Sequence, residues 1–231
     1  MRERHRVGVV IPAQNEERAI GLVIDHIPDF VDHIMVVDNG SRDATAQIAR
    51  EAGAEVVREN EPGYGAACLK GISALPGVDI IVFMDGDYSD FPQDMAELVD
   101  PIIFEGYDFV VGSRSKGQVE PGALGLQQVF GNWLATTLMR LIWRAEYSDL
   151  GPFRAITSTA LQKLEMSDRD YGWTVEMQIK AVLQQLKWCE VPVRYRQRIG
   201  VSKVSGTLYG TLMAGCKILT VIARHALAAR R

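Results

Sequence analysis

The chain has 231 residues, 47% of them hydrophobic, which is enough apolar material for one sizeable core. Its formal net charge of −4 argues against a protein that binds nucleic acid through overall positive charge. The three cysteines are far apart and have no metal-ligand spacing, which favours a reducing, cytoplasmic compartment over a disulfide scaffold. No apolar run reaches the roughly 18 residues that a membrane-spanning helix needs.

Short apolar runs alternate with helical patterns through the first half of the chain. The runs are continuous rather than alternating, which is typical of a parallel sheet buried on both faces. We therefore expect an α/β fold with a mostly parallel, Rossmann-like central sheet and flanking helices. The predicted strands are Val7–Ile11, Ile34–Val37, Ala54–Val57, Ile80–Met84 and Asp108–Gly112; the predicted helices are Glu16–Ile27, Asp43–Ala52, Tyr64–Leu75 and Pro92–Phe104.

The second half has a different pattern. A helix is predicted in the stretch from Leu124 to Trp143, followed by a loop, "DLGPFRAI", and a helix over Trp173–Leu186. A strand is expected in "WCEVPVRYRQR", and an apolar stripe predicts a helix from Gly206 onward. We expect residues 1–231 to form one domain, with residues 7–114 as the donor-binding half, 115–205 as the acceptor half and 206–231 as a C-terminal helix.

Charge is distributed unevenly along the chain. Residues from Arg198 to the end carry +6 and no acid, whereas the preceding residues carry −10. The terminal stripe with its basic residues suggests contact with a membrane surface, and packing on the core or on a second subunit is at least as consistent with the pattern. The predicted helix ending at Trp143 has the same alternatives. The protein is thus expected to be cytoplasmic. Peripheral attachment to the membrane, a homodimer and a membrane partner protein are open alternatives.

Polar residues gather where the predicted strands end. In open parallel sheets, ligands bind outside the carboxyl ends of the strands. Four strand ends carry polar groups: "PAQNEE" after the first, "DNGSRDAT" after the second, "DGDYSD" after the fourth and "GSR" after the fifth. Their convergence predicts a site at one edge of the sheet.

The "DGD" of Asp85 to Asp87 predicts a metal site at that edge. Residues i and i+2 of an extended chain point to the same side, so both carboxylates can face one ion. Mg²⁺ or Mn²⁺ favours carboxylate oxygens together with substrate phosphates, and would neutralise a departing diphosphate. The alternative is a plain turn, because Asp-Gly is common turn chemistry.

These segments together resemble family 2 glycosyltransferases of GT-A fold. The resemblance rests on "PAQNEE", "VVDNGSRDAT", "PGYGAACLKG", "FMDGDYSD" and "VGSR"; the later "SDLGPFRAI", "YGWTVEMQIKA" and "VPVRYRQRIGVSKVSGT" are similar to the dolichol-phosphate mannose synthase branch and its bacterial polyprenyl-phosphate relatives. It implies an inverting, metal-dependent transferase that moves a sugar from a UDP- or GDP-linked donor to an acceptor, here a polyprenyl or dolichyl phosphate at a membrane surface. The alternatives are a soluble hydroxyl acceptor or a non-catalytic nucleotide-sugar-binding protein.

The resemblance also implies roles for individual residues. Asp85 would reach the ribose or the metal, and Asp87 would bind the metal. Arg114 is expected to be catalytic and would lie near the acceptor phosphate or the diphosphate. Donor binding is assigned to Pro12, Ala13, Asn15, Glu16, Asp38, Gly65, Lys70 and Asp85. The sequence departs from the family at Asn39, Tyr64 and Gln127–Gln128, where many relatives have Asp, Lys and a basic residue.

The acceptor side has two candidate groups. Arg194, Arg196 and Arg198 alternate, and guanidinium groups suit phosphate oxygens, although an exposed edge strand protected by charge is an equal alternative. The family match favours Arg198, Ser202 and Lys203 for phosphate contact. Asp149 is expected to be catalytic: as general base for a hydroxyl acceptor, or as a group that only orients a neighbour if the acceptor is phosphate.

Overall fold

The computed structural model describes residues 1–200 and 208–228, and its centre is a seven-stranded sheet in the order β3-β2-β1-β4-β6-β5-β7. Neighbouring strands are parallel except for β6, which runs antiparallel to both β4 and β5. The strands are β1 Val7–Ala13, β2 His33–Asp38, β3 Glu55–Arg58, β4 Ile80–Phe83, β5 Phe109–Ser113, β6 Arg154–Thr157 and β7 Trp188–Pro192. The predicted mostly parallel α/β fold is confirmed.

Helices cover both faces of the sheet. Helices α1, α2 and α4 pack on one apolar cluster, and α3 with α5 to α8 pack on the other. Their bounds are α1 Ile20–Asp25, α2 Thr45–Glu51, α3 Tyr64–Ala74, α4 Met95–Glu105, α5 Leu126–Trp143, α6 Ser158–Leu164, α7 Trp173–Leu183 and α8 Leu208–Ala228; a short 3₁₀ turn, Pro92–Asp94, precedes α4. This arrangement explains the continuous apolar strands, because successive side chains enter opposite cores.

Strand β6 corrects the sequence analysis, which predicted a loop through "DLGPFRAI". Only its first residues are irregular, and Arg154 to Thr157 form a strand between β4 and β5. Two features hid it. The strand has only four residues, and it begins with Arg154, which is completely buried and donates hydrogen bonds to the carbonyl oxygens of Gly151, Leu150 and Thr174.

The strand predicted through "VRYRQR" is also wrong in its extent. Strand β7 ends at Pro192, which has no N–H to continue the ladder. Beyond it, Tyr195 makes only single bridges to Asp90 and to Val119. The chain after β7 therefore leaves the sheet and crosses the loop that follows β4.

No helix within residues 1–200 and 208–228 is both long and apolar enough to cross a membrane. Helix α8 packs against α5 and α7, and its buried side includes Val221 and Ile222. The C-terminal helix predicted from residue 206 is thus present over Leu208–Ala228. The division of the chain into a donor half and an acceptor half stays a prediction.

Candidate active site

A cleft of about 570 Å³ opens at the carboxyl edge of the sheet. The ends of β1, β4 and β5 form its floor, together with the loop that precedes the antiparallel strand β6. Helices α5 and α8 form one side. Predicted site residues that line it are Pro12, Ala13, Glu16, Asp85, Asp87, Arg114 and Arg198. The strand ends therefore converge as the sequence analysis expected.

The loop after β4 is tightly built around Asp87. Its carboxylate oxygen Oδ1 accepts hydrogen bonds from the Ser89 backbone N–H at 3.0 Å and from the Ser89 hydroxyl at 2.6 Å. Tyr88 between them has φ +65°, a left-handed conformation that is rare for a bulky side chain. The turn predicted as an alternative is thus present, and it holds Asp87 at the cleft rather than away from it.

Negative charge is concentrated in this loop. Burial, with the nearby charge of Asp87, raises the pKa of Asp85 to about 7. Burial and the charges of Asp85 and Asp87 likewise raise the pKa of Asp90 well above its usual range, and its buried Oδ1 has no hydrogen-bond partner. A cation bound at this loop would lower the free-energy cost of keeping these carboxylates ionised.

The donor set fits a metal that brings other ligands with it. In the described part of the chain, no three His, Cys, Asp or Glu side chains are grouped to hold an ion by themselves. Two cleft carboxylates, Asp85 and Asp87, are nevertheless present with an unsatisfied acid beside them. Mg²⁺ and Mn²⁺ are commonly held by one or two carboxylates plus phosphate oxygens, so the site suits an ion shared with a diphosphate.

Arg198 occupies part of this negative field. Its guanidinium lies 2.9 Å from Oδ2 of Asp87, and the N–H of Ile199 donates to the Asp87 carbonyl at 2.9 Å. Arg194 instead pairs with Asp94, and Arg196 stacks on Tyr88. Only Arg198 of the three arginines therefore lines the cleft, while Ser202 and Lys203 lie outside the described residues.

Arg114 and Asp149 form a bidentate ion pair beside the cleft. The guanidinium donates to both carboxylate oxygens, at 2.8 and 2.6 Å, and the Arg114 backbone N–H donates to Oδ2 at 2.7 Å. Burial by itself would raise the pKa of Asp149, but the charge and hydrogen bonds of Arg114 lower it below its usual range. A committed carboxylate of low pKa suits orientation of Arg114 better than proton abstraction.

Three side chains that the sequence analysis did not single out hold the loop that carries Asp149. Glu190 accepts from the N–H groups of Ser148 and Asp149, at 2.8 and 3.2 Å. Asn132 donates to the Ser148 carbonyl and accepts from the Leu150 N–H, while Gln178 donates to the Asp149 carbonyl. These residues come from β7, α5 and α7, so no local sequence pattern connects them.

The donor-side predictions separate into two groups. Pro12, Ala13 and Glu16 line the cleft, and Asn15 sits next to them with φ +53°. The Asn15 side chain accepts from the Arg42 N–H at 2.8 Å, which ties the turn after β1 to the loop after β2.

Asp38, Gly65 and Lys70 are not among the residues that line the cleft. Asp38 is buried at the end of β2 and accepts from the Ser41 N–H. Lys70 is exposed on α3. Gly65 packs so closely that an added Cβ would be 2.1 Å from the Asp168 carbonyl oxygen, which explains the glycine by packing. The assigned donor roles of these three stay predictions.

Asn39 and Tyr64, where the chain departs from many relatives, both line the cleft. Asn39 accepts from the Gly63 N–H at 2.9 Å and donates to the carbonyl groups of Glu59 and Glu61. An aspartate could not donate these bonds. The amide thus fixes the loop before α3 against the end of β2.

The sheet topology, with a charged cleft at its carboxyl edge, is that of an α/β enzyme of GT-A type. The glycosyl transferase family 2 model matches residues 8–164. The chain belongs to that family. An uncharacterized glycosyltransferase of Mycobacterium bovis is 35% identical over 214 residues, covering 90% of this chain and 94% of the relative.

Two further similarities concern named activities. A dolichyl-phosphate hexose transferase of Haloferax volcanii is 31% identical over 204 residues, covering 86% of each chain. The crystal structure of glucosyl-3-phosphoglycerate synthase from Mycobacterium tuberculosis, in complex with Mn²⁺, UDP-glucose and phosphoglyceric acid, is similar with a TM-score of 0.79 and 25% identity. That similarity covers 96% of this chain and 80% of the other.

Proposed function

We propose that the protein transfers a sugar from a nucleotide diphosphate donor to a polyprenyl phosphate, with a divalent cation at Asp85 and Asp87. The observation that carries the proposal is the pair of Arg114 and Asp149. It holds a guanidinium beside the cleft and commits the carboxylate that a hydroxyl acceptor would need as a base. A phosphate acceptor is anionic at neutral pH and needs no base.

The donor would lie along the ends of β1 and β4. Pro12, Ala13 and Glu16 line the part of the cleft beside the end of β2, where the nucleoside would bind. Asp85 and Asp87 would hold Mg²⁺ or Mn²⁺, which neutralises the charge that develops on a leaving diphosphate. The Mn²⁺ bound with UDP-glucose in the similar solved structure supports this assignment.

The acceptor phosphate would contact Arg114 and Arg198, the two arginines that line the cleft in the described part of the chain. Arg forks bind phosphate oxygens in bidentate fashion, and Asp149 keeps the Arg114 fork in a fixed plane. The anionic oxygen then attacks the anomeric carbon from the side opposite the diphosphate, inverting its configuration. The similarity of the chain to the dolichyl-phosphate hexose transferase of Haloferax volcanii supports a lipid phosphate as acceptor.

A small phosphorylated acceptor is the second candidate, since the similar solved structure holds phosphoglyceric acid. It would use the same two arginines. The two acceptors differ in the apolar chain attached to the phosphate, so a direct comparison of substrates separates them.

Calorimetric titration with UDP-, GDP- and dTDP-sugars, each with and without Mn²⁺, tests the donor site. We expect one nucleotide to bind with micromolar affinity only when Mn²⁺ is present. Asp87→Asn should abolish this binding because it removes the negative charge that would hold the metal. The amide oxygen still accepts the hydrogen bond from Ser89. Asp25→Asn, at an exposed carboxylate on α1, is the matched control. Metal-independent binding by the variant would reject the metal assignment.

The acceptor is then tested with the bound donor. We expect labelled sugar to pass to a polyprenyl phosphate and not to the corresponding polyprenol or to 3-phosphoglycerate. Transfer to the polyprenol would point to a hydroxyl acceptor and a base, and transfer only to 3-phosphoglycerate would replace the lipid with a small acceptor.

A further inference from the structure

Helix α5 exposes an unusual number of large apolar side chains. Leu126, Val129, Phe130, Trp133 and Leu141 are all more than half exposed, with Phe130 at 60% and Trp133 at 57%. At 100° per residue these five and the exposed Arg140 fall within about 120° of the helix circumference. This apolar side of α5 is thus directed to solvent, not to the core.

Helix α8 repeats the pattern beside it. Its exposed residues include Met213, Leu219, Arg224 and Leu227, which occupy one side of the helix. The opposite side packs on the core through Val221 and Ile222. The two helices contact each other, and both line the cleft, α5 through Gly131 and Asn132 and α8 through Ala214 and Gly215.

The charge on these helices is of one sign. Neither α5 nor α8 contains an aspartate or glutamate, whereas the chain before Arg198 carries a net charge of −10. Arg140, Arg144 and Arg224 are exposed on or directly after the two helices. Apolar and aromatic side chains bordered by cations, with no acid within either helix, are characteristic of helices that lie in the interface of an anionic bilayer.

We infer that the exposed sides of α5 and α8 form a docking surface for anionic lipid bilayers. This inference rests on the proposed function in one respect: a polyprenyl chain remains in the bilayer while its phosphate enters the cleft that both helices border. Phe130 and Trp133, whose rings are 5.7 Å apart, insert among the acyl chains, and the three arginines meet lipid phosphates.

Flotation of the full-length protein with vesicles tests the inference. We expect binding to phosphatidylcholine vesicles that contain phosphatidylglycerol, and weaker binding to phosphatidylcholine alone. Phe130→Ser with Trp133→Ser should lower the partition coefficient by about tenfold or more. Phe104→Ser, on α4 and 64% exposed, is the matched control and should bind as the original protein does. Arg140→Gln with Arg224→Gln should weaken binding to the anionic vesicles only.

A second readout uses the fluorescence of Trp133. Trp133 is more exposed than Trp143, Trp173 and Trp188, so vesicles should shift tryptophan emission to shorter wavelength in the original protein and not in Trp133→Phe. No flotation of the original protein, or equal flotation of the Phe130 and Trp133 double variant, would overturn the inference. Self-association that the double variant abolishes, without flotation, would assign the surface to a second copy and overturn it too.

The outcome is separable from that of the proposed function. A short-chain, water-soluble prenyl phosphate should be glycosylated without vesicles, and equally by the original protein and the double variant. Flotation without transfer to any prenyl phosphate rejects the proposed acceptor and keeps the docking surface. Transfer to a prenyl phosphate without flotation keeps the proposed acceptor and rejects the docking surface.

Discussion

Asp149→Asn is the substitution that most directly tests how the cleft holds the guanidinium of Arg114. The amide keeps the size of the carboxylate and one acceptor oxygen, but it removes the charge and one of the two acceptors that the Arg114 guanidinium uses. Because the side chains of Arg114 and Asp149 are only 14% and 2% exposed, water cannot replace the lost partner easily.

The structure sets the size of the effect. Breaking a buried ion pair by removing one partner costs about 3 to 5 kcal/mol, and the retained oxygen places this variant near the lower value. About 3 kcal/mol corresponds to a melting temperature lower by roughly 6 to 12 °C for a chain of this size. If Arg114 stabilises the transition state, the same energy corresponds to roughly a hundredfold loss in kcat/KM.

A double-mutant cycle with Arg114→Gln provides the assay, with thermal unfolding and kcat/KM as readouts. A residue that acts only through Arg114 has no further effect once Arg114 is gone, so the double variant should have the activity of Arg114→Gln alone. It should also be more stable than Arg114→Gln, which leaves a buried carboxylate unpaired. Additive losses in activity would refute this reasoning and make Asp149 a base in its own right.

Three further outcomes are expected. Glu190→Ala removes the acceptor for the Ser148 and Asp149 N–H groups and should lower the free energy of unfolding by about 2 to 4 kcal/mol, measured by urea titration. Gly65→Ala should destabilise through its clash with the Asp168 carbonyl, whereas Gly131→Ala, which meets nothing within 4 Å, should not. Burial by itself would raise the pKa of Glu176, but hydrogen bonds from Ser167 help to lower it below its usual range. The ionised Glu176 therefore stabilises the fold fully above the unfolded pKa near 4, and this stabilisation is lost on acidification. Glu176→Gln should make stability depend less on pH in the acidic range.

The sequence predicted the sheet and the edge where the site forms for a physical reason. Strands β1, β2, β4 and β5 are continuous apolar runs followed at once by polar residues, and this pattern is local. Convergence then follows from parallel pairing alone, because the carboxyl ends of parallel strands meet at one edge. Asp85, Asp87 and Arg114 could therefore be placed without knowledge of any tertiary contact.

The remaining parts of the site depend on contacts between distant residues. Glu190 and Gln178 reach the loop of Asp149 across about 30 to 40 residues of chain, and their sequence surroundings resemble those of any strand and helix. The alternation of Arg194, Arg196 and Arg198 predicted a strand, but acidic and aromatic partners near the loop after β4 decide where each guanidinium lies. Pattern alone does not identify such partners.

Strand β6 joins the two parts of the sheet, and this has a consequence for folding. Strands β1 to β4 come from the first 83 residues and β5 and β7 from later ones, and β6 alone connects them. A fragment of residues 1–114 would contain β4 and β5 with no strand between them, and would expose an unpaired apolar edge of β4 to aggregation. We therefore expect the donor half to be unable to fold by itself. The chain should unfold in one cooperative transition, and its refolding should be slow because β6 must find partners about 45 and 75 residues away.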